Sequence, residues 1–361
     1  MKYRLLIFLI LVSLTAFCQT KQEIIPAKLK EDIISIQARD NIAAGYNFPF
    51  SSVKIIDYRF DTSKIGFGRS SNAYNEKRSL FAAYPFKKII LKKGLQQSVE
   101  NFYNDYYKNC FSNDSIQLLI VIKRFWADPF PNSQVKRQKT FIVQESTFDL
   151  HVGFEFFMNK NKLYLPLKRI DTVFQISANT SNIEYLDFKE KKYSIYEYAL
   201  TKVFESLNYQ MYADHFETSK NKKTLAELIA FSERRFNYPI LKDSILKKGI
   251  YMNFSEFRNN QPSIENYKLE IKKKIGKLLY NGNDSSQVLK YWGYCDGEKI
   301  YNGDLEYPLS RVENTFDFFA NRFDYFKDSF PLIIGSSVDD SPSLAKVIEP
   351  FQIDMETGKI Y

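Results

Sequence analysis

Asp149, His151 and Glu155 lie at alternate positions of the stretch FDLHVGFEF, between Phe148, Leu150, Val152, Phe154 and Phe156. Carboxylate and imidazole are common metal donors, so this trio is the chain's candidate for metal binding. Alternate residues of a strand share a face but are strung out along a line. A closed ligand set would therefore need further side chains from neighbouring strands. The competing expectation is a half-buried strand with one wet, polar face. A convergence of other ionisable groups on Asp149 and His151 would favour chemistry.

The stretch KYWGYCDGEKIY, Lys290 to Tyr301, sets Cys295 beside an aspartate among aromatic residues. A nucleophilic cysteine needs a base to form its thiolate. The two histidines, His151 and His215, both fall in the earlier part of the chain. Asp296-Gly297 between apolar runs is instead the signature of a two-residue hairpin turn. That register sets Cys295 opposite Glu298, Tyr294 opposite Lys299 and Trp292 opposite Tyr301. Trp292, Tyr294 and Tyr301 are then candidate binding residues, an aromatic ledge of the kind that stacks on sugars.

Other chemical patterns fail on inspection. Two histidines leave little room for a His-based triad or a multi-His metal centre. Ser-x-x-Lys recurs in this lysine-rich chain, at Ser133, Ser219, Ser244 and Ser343 among other places, with no Lys-Thr-Gly to accompany it. Asp61-Thr62-Ser63 lacks the glycine of an aspartic-protease loop and has no second copy to share a proton. Gly66 and Gly68 lack the third glycine of a dinucleotide loop. No catalytic residue is assigned and no cofactor is expected.

The elements that must position these residues are legible from periodicity. Val53–Phe60 and the KKIILK segment at Lys87 read as strands, and SIQLLIVIKRFW as a central strand apolar on both faces. Leu95, Val99, Phe102, Tyr106 and Cys110 have helical spacing, as do Ile195, Ala199, Val203, Leu207 and Met211. Thr224 and Glu227 form a capping box that opens a third helix. Pro166 in the strand after Asn159–Lys162 implies an edge or a bulge. After Pro239 short strands dominate. The chain contains 32 Phe and 25 Tyr, and aromatics on this scale favour sheets. The expected fold is α+β: a largely antiparallel sheet with helices packed on one face, then a small β-rich domain of hairpins. The expected divisions are a signal peptide at 1–18, a lead-in helix or linker at 19–52, an α+β domain at 53–238 and a β-rich domain at 239–361.

The first residues, MKYRLLIFLILVSLTAFCQT, have the basic, apolar and small-residue parts of a secretory leader. Cleavage after Cys18 would leave Gln19 first. The alternative retains Cys18 as an acylated anchor, although Phe17 stands where lipoprotein signals resemble one another in having Gly, Ala or Ser. No later stretch is apolar for long enough to span a bilayer. The net charge of +9 comes from lysines spread in pairs and triplets, as on a solvated surface. Export makes nucleic acid a poor partner and leaves envelope proteins or glycans as the expected ones. Cys110 and Cys295 are expected as buried thiols, with a disulfide left open.

The stretch IIDYRFDTSKIGFG, with Asp57, Arg59 and Ile65-Gly66, resembles the small periplasmic domains of YajG-type and related envelope lipoproteins. GIYMNFSEFRNNQPSI and YWGYCDGEKIY resemble segments of uncharacterised exported proteins of Gram-negative bacteria. These resemblances imply a short helix near Ser255, hairpins behind it and a place in the cell envelope, with no known activity. The resulting expectation is a non-enzymatic envelope protein in the periplasm or at the cell surface. The alternatives are a glycan binder and a hydrolase without a recognisable motif.

Overall fold

The computed structural model describes residues 29–37, 45–69, 86–113, 115–128, 134–138, 141–180, 186–272, 276–282, 289–303, 307–321 and 348–361. Its main sheet has nine strands: β1 (Lys30–Ile34), β2 (Ser52–Asp57), β3 (Gly66–Arg69), β4 (Phe86–Leu91), β5 (Gln117–Asp128), β6 (Gln134–Gln138), β7 (Phe141–Lys160), β8 (Leu163–Thr180) and β9 (Lys223–Thr224). They run in the order β1-β4-β3-β5-β7-β8-β9, with β2 also on β5 and β6 on β7. β5 is central because it is apolar on both faces. Leu118, Ile120 and Ile122 enter one core while Leu119 and Val121 enter another. The sheet is mixed, since β1 pairs parallel with β4, and β2 with β5. Part of the segment 19–52 is therefore neither helix nor linker. β1 is a strand of the sheet, and Phe48 and Phe50 are buried in the main core.

Helix α1 (Gly94–Tyr106) and helix α2 (Leu186–Glu205) pack on one face of this sheet. Leu95, Val99 and Phe102 of α1 meet Ile195, Ala199 and Val203 of α2 in a core rich in rings, with Tyr103 stacked on Phe204 at 4.6 Å. α1 also closes the outer edge of β2. Asn104 accepts from the Val53 amide at 3.0 Å and Glu100 from the Ile55 amide at 3.0 Å, supplying the partners a further strand would give. The expected continuous helix to Met211 is broken. Asn208 caps a new helix, α3 (Tyr209–His215), by accepting from the Met211 amide, and Met211 is exposed. On the other face, α4 (Leu225–Glu233) begins with the Thr224–Glu227 capping box and seats Leu228 on Leu119, Val121 and Phe157.

The remaining elements are short: α5 (Pro239–Lys242), β10 (Gly249–Tyr251), α6 (Phe254–Arg258), β11 (Tyr267–Lys272), β12 (Gly276–Asn281), β13 (Gly293–Cys295), β14 (Ile300–Asn302), β15 (Ser310–Val312), β16 (Thr315–Asn321) and β17 (Ile348–Gln352). They make three small sheets, β10-β13-β14, β11-β12 and β15-β16-β17. Residues 324–334 (DYFKDSFPLII), one of the short strands expected after Pro239, lie outside the described residues. The fold is α+β, as the periodicities implied. One apolar cluster joins Phe60, Phe67 and Trp126 of the sheet to Tyr251, Phe257, Phe318, Phe351 and Met355, so the C-terminal strands cover the sheet's second face.

The Asp296 hairpin has a different register from the expected one. Its loop is four residues long, because the Asp296 carboxylate accepts from the amides of Glu298 and Lys299 at 2.9 and 2.8 Å. Tyr294 therefore faces Tyr301, and Cys295 faces Ile300. Cys110 and Cys295 are buried in separate clusters and are not joined by a disulfide.

Candidate functional site

The polar side chains of the interior gather where the C-terminal strands lie on the sheet's second face, and an irregularity in β5 brings them there. Ile122 pairs with Phe154 and Arg124 with Gly153, leaving Lys123 as the extra residue of a β-bulge. Before the bulge Ile122 points into the helix-side core, and after it Phe125 and Ala127 do. Lys123, Arg124 and Trp126 are thereby turned toward the second face. Gly153 permits the approach, since a Cβ there would stand 3.0 Å from the Arg124 Cβ.

Three clusters of charge result. In the first, Lys64 is completely enclosed, with its ammonium between Asp61 and Asp317. It is in ion-pair contact with Asp61 and 2.8 Å from Asp317. Gln352 donates to both carboxylates at 2.8 and 2.9 Å. Burial pushes the Asp61 carboxyl up, but the Lys64 charge and the hydrogen bonds from Lys64, Ser63 and Gln352 outweigh it and hold the group below its usual range. Burial dominates at Asp317 and raises its carboxyl.

In the second cluster Arg124 pairs with Asp354 and, at 2.6 Å, with Asp171. Tyr361 donates to Asp354 at 3.2 Å, and its ring lies 4.6 Å from that of His151. In the third, Lys123 donates to Ser232 at 2.6 Å and lies 3.6 Å from Glu155. Burial lowers the Lys123 ammonium to about 8, with Glu155 opposing.

The trio Asp149, His151 and Glu155 is not brought together as a ligand set. Glu155 faces Lys123, whereas Asp149 Oδ1 and His151 Nε2 have no hydrogen-bond partner among the described residues. The polar face expected to be wet is covered: Asp149 and His151 are buried. The physical reason is Tyr361, which the last turn of the chain folds over β7. Burial, with Lys359 and Arg124 nearby, lowers His151 to about 4. Burial raises Asp149, opposed by a hydrogen bond with Gln175. Ionisable groups do gather beside His151, but Asp171 and Asp354 are both engaged by Arg124. Among the described residues no group of three or more His, Cys, Asp or Glu side chains is placed to hold a metal ion.

The aromatic candidates divide between two clusters. Tyr294 is buried and stacks on Tyr301 at 5.0 Å, while Trp292 faces another cluster and stacks on Phe257 at 4.3 Å. They do not form a single ledge, because the four-residue loop shifts the register from the one that would pair Trp292 with Tyr301.

The seam encloses a cleft of about 40 Å³ lined by Arg59, Asp61, Lys123, Arg124, Trp126 and Tyr361. At roughly 10–15 Å³ per water position this holds a few waters. A serine beside a lysine of lowered pKa is the outline of a Ser–Lys nucleophile pair. Ser232, however, is 3% exposed, which denies a substrate access to its oxygen. Sequence reasoning missed Lys64, Lys123, Arg124, Asp317 and Asp354. The available signal was Lys123-Arg124, two adjacent charges interrupting a strand apolar on both faces.

The site thus defines an α+β protein whose interior polar groups hold its C-terminal strands to its main sheet. No family model matches the chain, and no curated protein matches it. Two solved structures are similar over about half of it. An uncharacterized protein is 10% identical over 50% of this chain and 99% of its own, with a TM-score of 0.24. A Xanthomonas campestris protein described under DUF330 is 11% identical over 48% of this chain and 90% of its own, with a TM-score of 0.26. Neither is described as a YajG-type domain.

Proposed function

We propose that this chain is a non-enzymatic, exported protein of the cell envelope that acts through contacts with other envelope components. The observation that carries the reading is the seam: Lys64 faces two carboxylates of the same chain in a closed interior, and Lys123 and Arg124 face others beside a cleft with room for only a few waters. Groups arranged in this way serve cohesion between parts of a fold more directly than turnover of a ligand. The leader-like residues 1–18 supply the route, and among the described residues no helix is long and apolar enough to cross a membrane.

Fractionation of cells producing the chain with a C-terminal tag tests the destination. A product shortened at its N-terminus and found outside the cytoplasm is expected, and a full-length cytosolic product overturns the reading. Globomycin treatment then distinguishes the two fates of Cys18, because only an acylated chain accumulates as precursor. Crosslinking in the same cells should trap envelope proteins reproducibly. Hydrolysis of an ester, peptide or glycoside by the purified chain, abolished by Ser232→Ala, would replace this reading with the enzymatic one.

A further inference from the structure

One end of the molecule combines positive charge with protruding apolar side chains. β7 and β8 are joined by a two-residue turn, Asn161 and Lys162, both left-handed at φ 54° and 64°. Such a turn ordinarily prefers Asn-Gly, so here it projects a lysine from the hairpin tip. β9 lies alongside, with Leu163 opposite Thr224 and Tyr164 opposite Lys223. This brings Lys222 and Lys223 to the same rim as Lys160 and Lys162. Two acids share the rim, Glu217, which pairs with Lys160 at 2.6 Å, and Glu227, which closes the capping box of α4, so the four lysines outnumber the acids.

Between these charges stand Leu163 and Leu225, each 38% exposed, and Phe231, 51% exposed. The Lys223 ammonium lies 5.1 Å from the Phe231 ring centre. α4 is apolar around most of its circumference (LAELIAFSE), yet it buries only Leu228 and Ser232. A helix of that kind in water implies a second apolar surrounding.

We propose that this rim docks on an anionic lipid bilayer, with the lysines at the headgroups and Leu163, Leu225 and Phe231 entering the interface. The inference rests on the envelope reading above and names the surface through which the chain would make its contact. An acidic polysaccharide would satisfy the lysines equally well. The exposed leucines Leu163 and Leu225, aliphatic side chains with no ring face for a sugar to stack on, favour lipid.

The test uses the mature chain from Gln19, made without a leader so that no acyl group forms at residue 18. It is sedimented with vesicles of phosphatidylcholine alone and with vesicles containing one third phosphatidylglycerol. Binding to the anionic vesicles should be at least about tenfold tighter and should weaken with salt. Lys162→Gln with Lys223→Gln should weaken it by about 25-fold, taking roughly fivefold for each lysine near the surface. Phe231→Ser should weaken it severalfold. Lys247→Gln with Lys248→Gln, an exposed pair elsewhere, should change it by less than about twofold.

Phe231→Trp gives an independent readout, because the emission of the introduced indole should shift to the blue and be quenched by brominated lipid on binding. Equal losses for the two lysine pairs, an unquenched signal from the Phe231→Trp variant, equal affinity for both vesicle types, or tighter binding to soluble heparin that is indifferent to Phe231→Ser would each overturn the proposal. An exported chain that ignores vesicles sinks this inference alone. A cytosolic chain sinks the envelope reading whatever the vesicles show.

Discussion

Replacing Lys64 by methionine tests the seam directly, because it keeps most of the side chain's volume and removes its charge. Lys64 is fully enclosed, and its ammonium contacts both Asp61 and Asp317. Without it two carboxylates face one another across Gln352. If both stay ionised at about 5 Å, their repulsion at an effective dielectric of 20 is about 3 kcal/mol. If one takes up a proton instead, raising an ordinary carboxyl from about pH 4 to pH 7 costs about 4 kcal/mol. Either route gives a loss of about 3–5 kcal/mol, the usual range for orphaning a buried charge. The assay is urea unfolding followed by tryptophan emission, since Lys64 lies 5.8 Å from the centre of the Trp126 ring. At pH 4 protonation is nearly free in the variant, so the penalty should shrink to about 1–2 kcal/mol. The wild type moves in the same sense at Asp61, whose lowered folded pKa contributes stability above the unfolded value that is lost on acidification. Asp317, raised by burial, works in the opposite direction, contributing most below its unfolded value and losing that contribution as pH rises. Adding Asp317→Asn to Lys64→Met should restore part of the loss at pH 7. A penalty below about 1 kcal/mol at pH 7, or one equal at pH 7 and pH 4, would refute the pairing argument.

Gly66→Ala should cost about 2–4 kcal/mol, because a Cβ at that left-handed position (φ 146°) would collide with the Ala127 carbonyl oxygen, as denaturant unfolding would show. Tyr361→Ala should lose about 3 kcal/mol or more and shift Trp126 emission toward the red, whereas Tyr361→Phe, which keeps the ring and loses only the bond to Asp354, should cost about 1 kcal/mol. His151 has its folded pKa lowered to about 4, so it contributes stability that is present above about pH 6.5 and lost as pH falls toward 4. That slope amounts to about 3 kcal/mol over the window, and a stability-against-pH series on His151→Phe should lack it.

Much of the fold was readable because periodicity and capping act locally. The Thr224–Glu227 box requires only four residues to define it, and the α1 stripe of Leu95, Val99 and Phe102 is set by one helix's own geometry. The errors arose where a tertiary partner or a competing local bond decided the outcome. Nothing within residues 19–52 shows that Lys30–Ile34 will find a parallel partner in β4, since that pairing is made across more than fifty residues. At the Asp296 hairpin the side chain overrode the dipeptide rule. Asp-Gly suits a two-residue turn, but a carboxylate that accepts from two following amides stabilises a longer loop. The α2 pattern continued in phase to Met211, yet Asn208 offered a cap and the chain restarted there.

The candidate site was hidden for a related reason. Alternation along a strand assigns each residue to one of two faces, and the assignment holds only while the register advances by one residue per partner. The bulge at Lys123 adds a residue on β5 alone, so parity before it predicts the wrong face after it. Counting from Ile122 puts Arg124 and Trp126 in the helix-side core. The observed pairing puts Phe125 and Ala127 there and turns Arg124 and Trp126 toward the C-terminal strands, while Lys123 faces Ser232 of α4 and Glu155 of β7. Those cations require acids, and the acids come from Asp171 and Glu155 in the same sheet and from Asp354 near the far end of the sequence. The bulge thus gives the second face a charge pattern that a regular strand would lack, and complementary carboxylates on the covering strands give that cover a defined register. Replacing a whole buried ion pair by apolar residues is often neutral in net stability, whereas leaving one partner unpaired costs several kcal/mol, so a displaced cover would be penalised. The polar residues at the seam are therefore best read as determinants of how two parts of one chain fit.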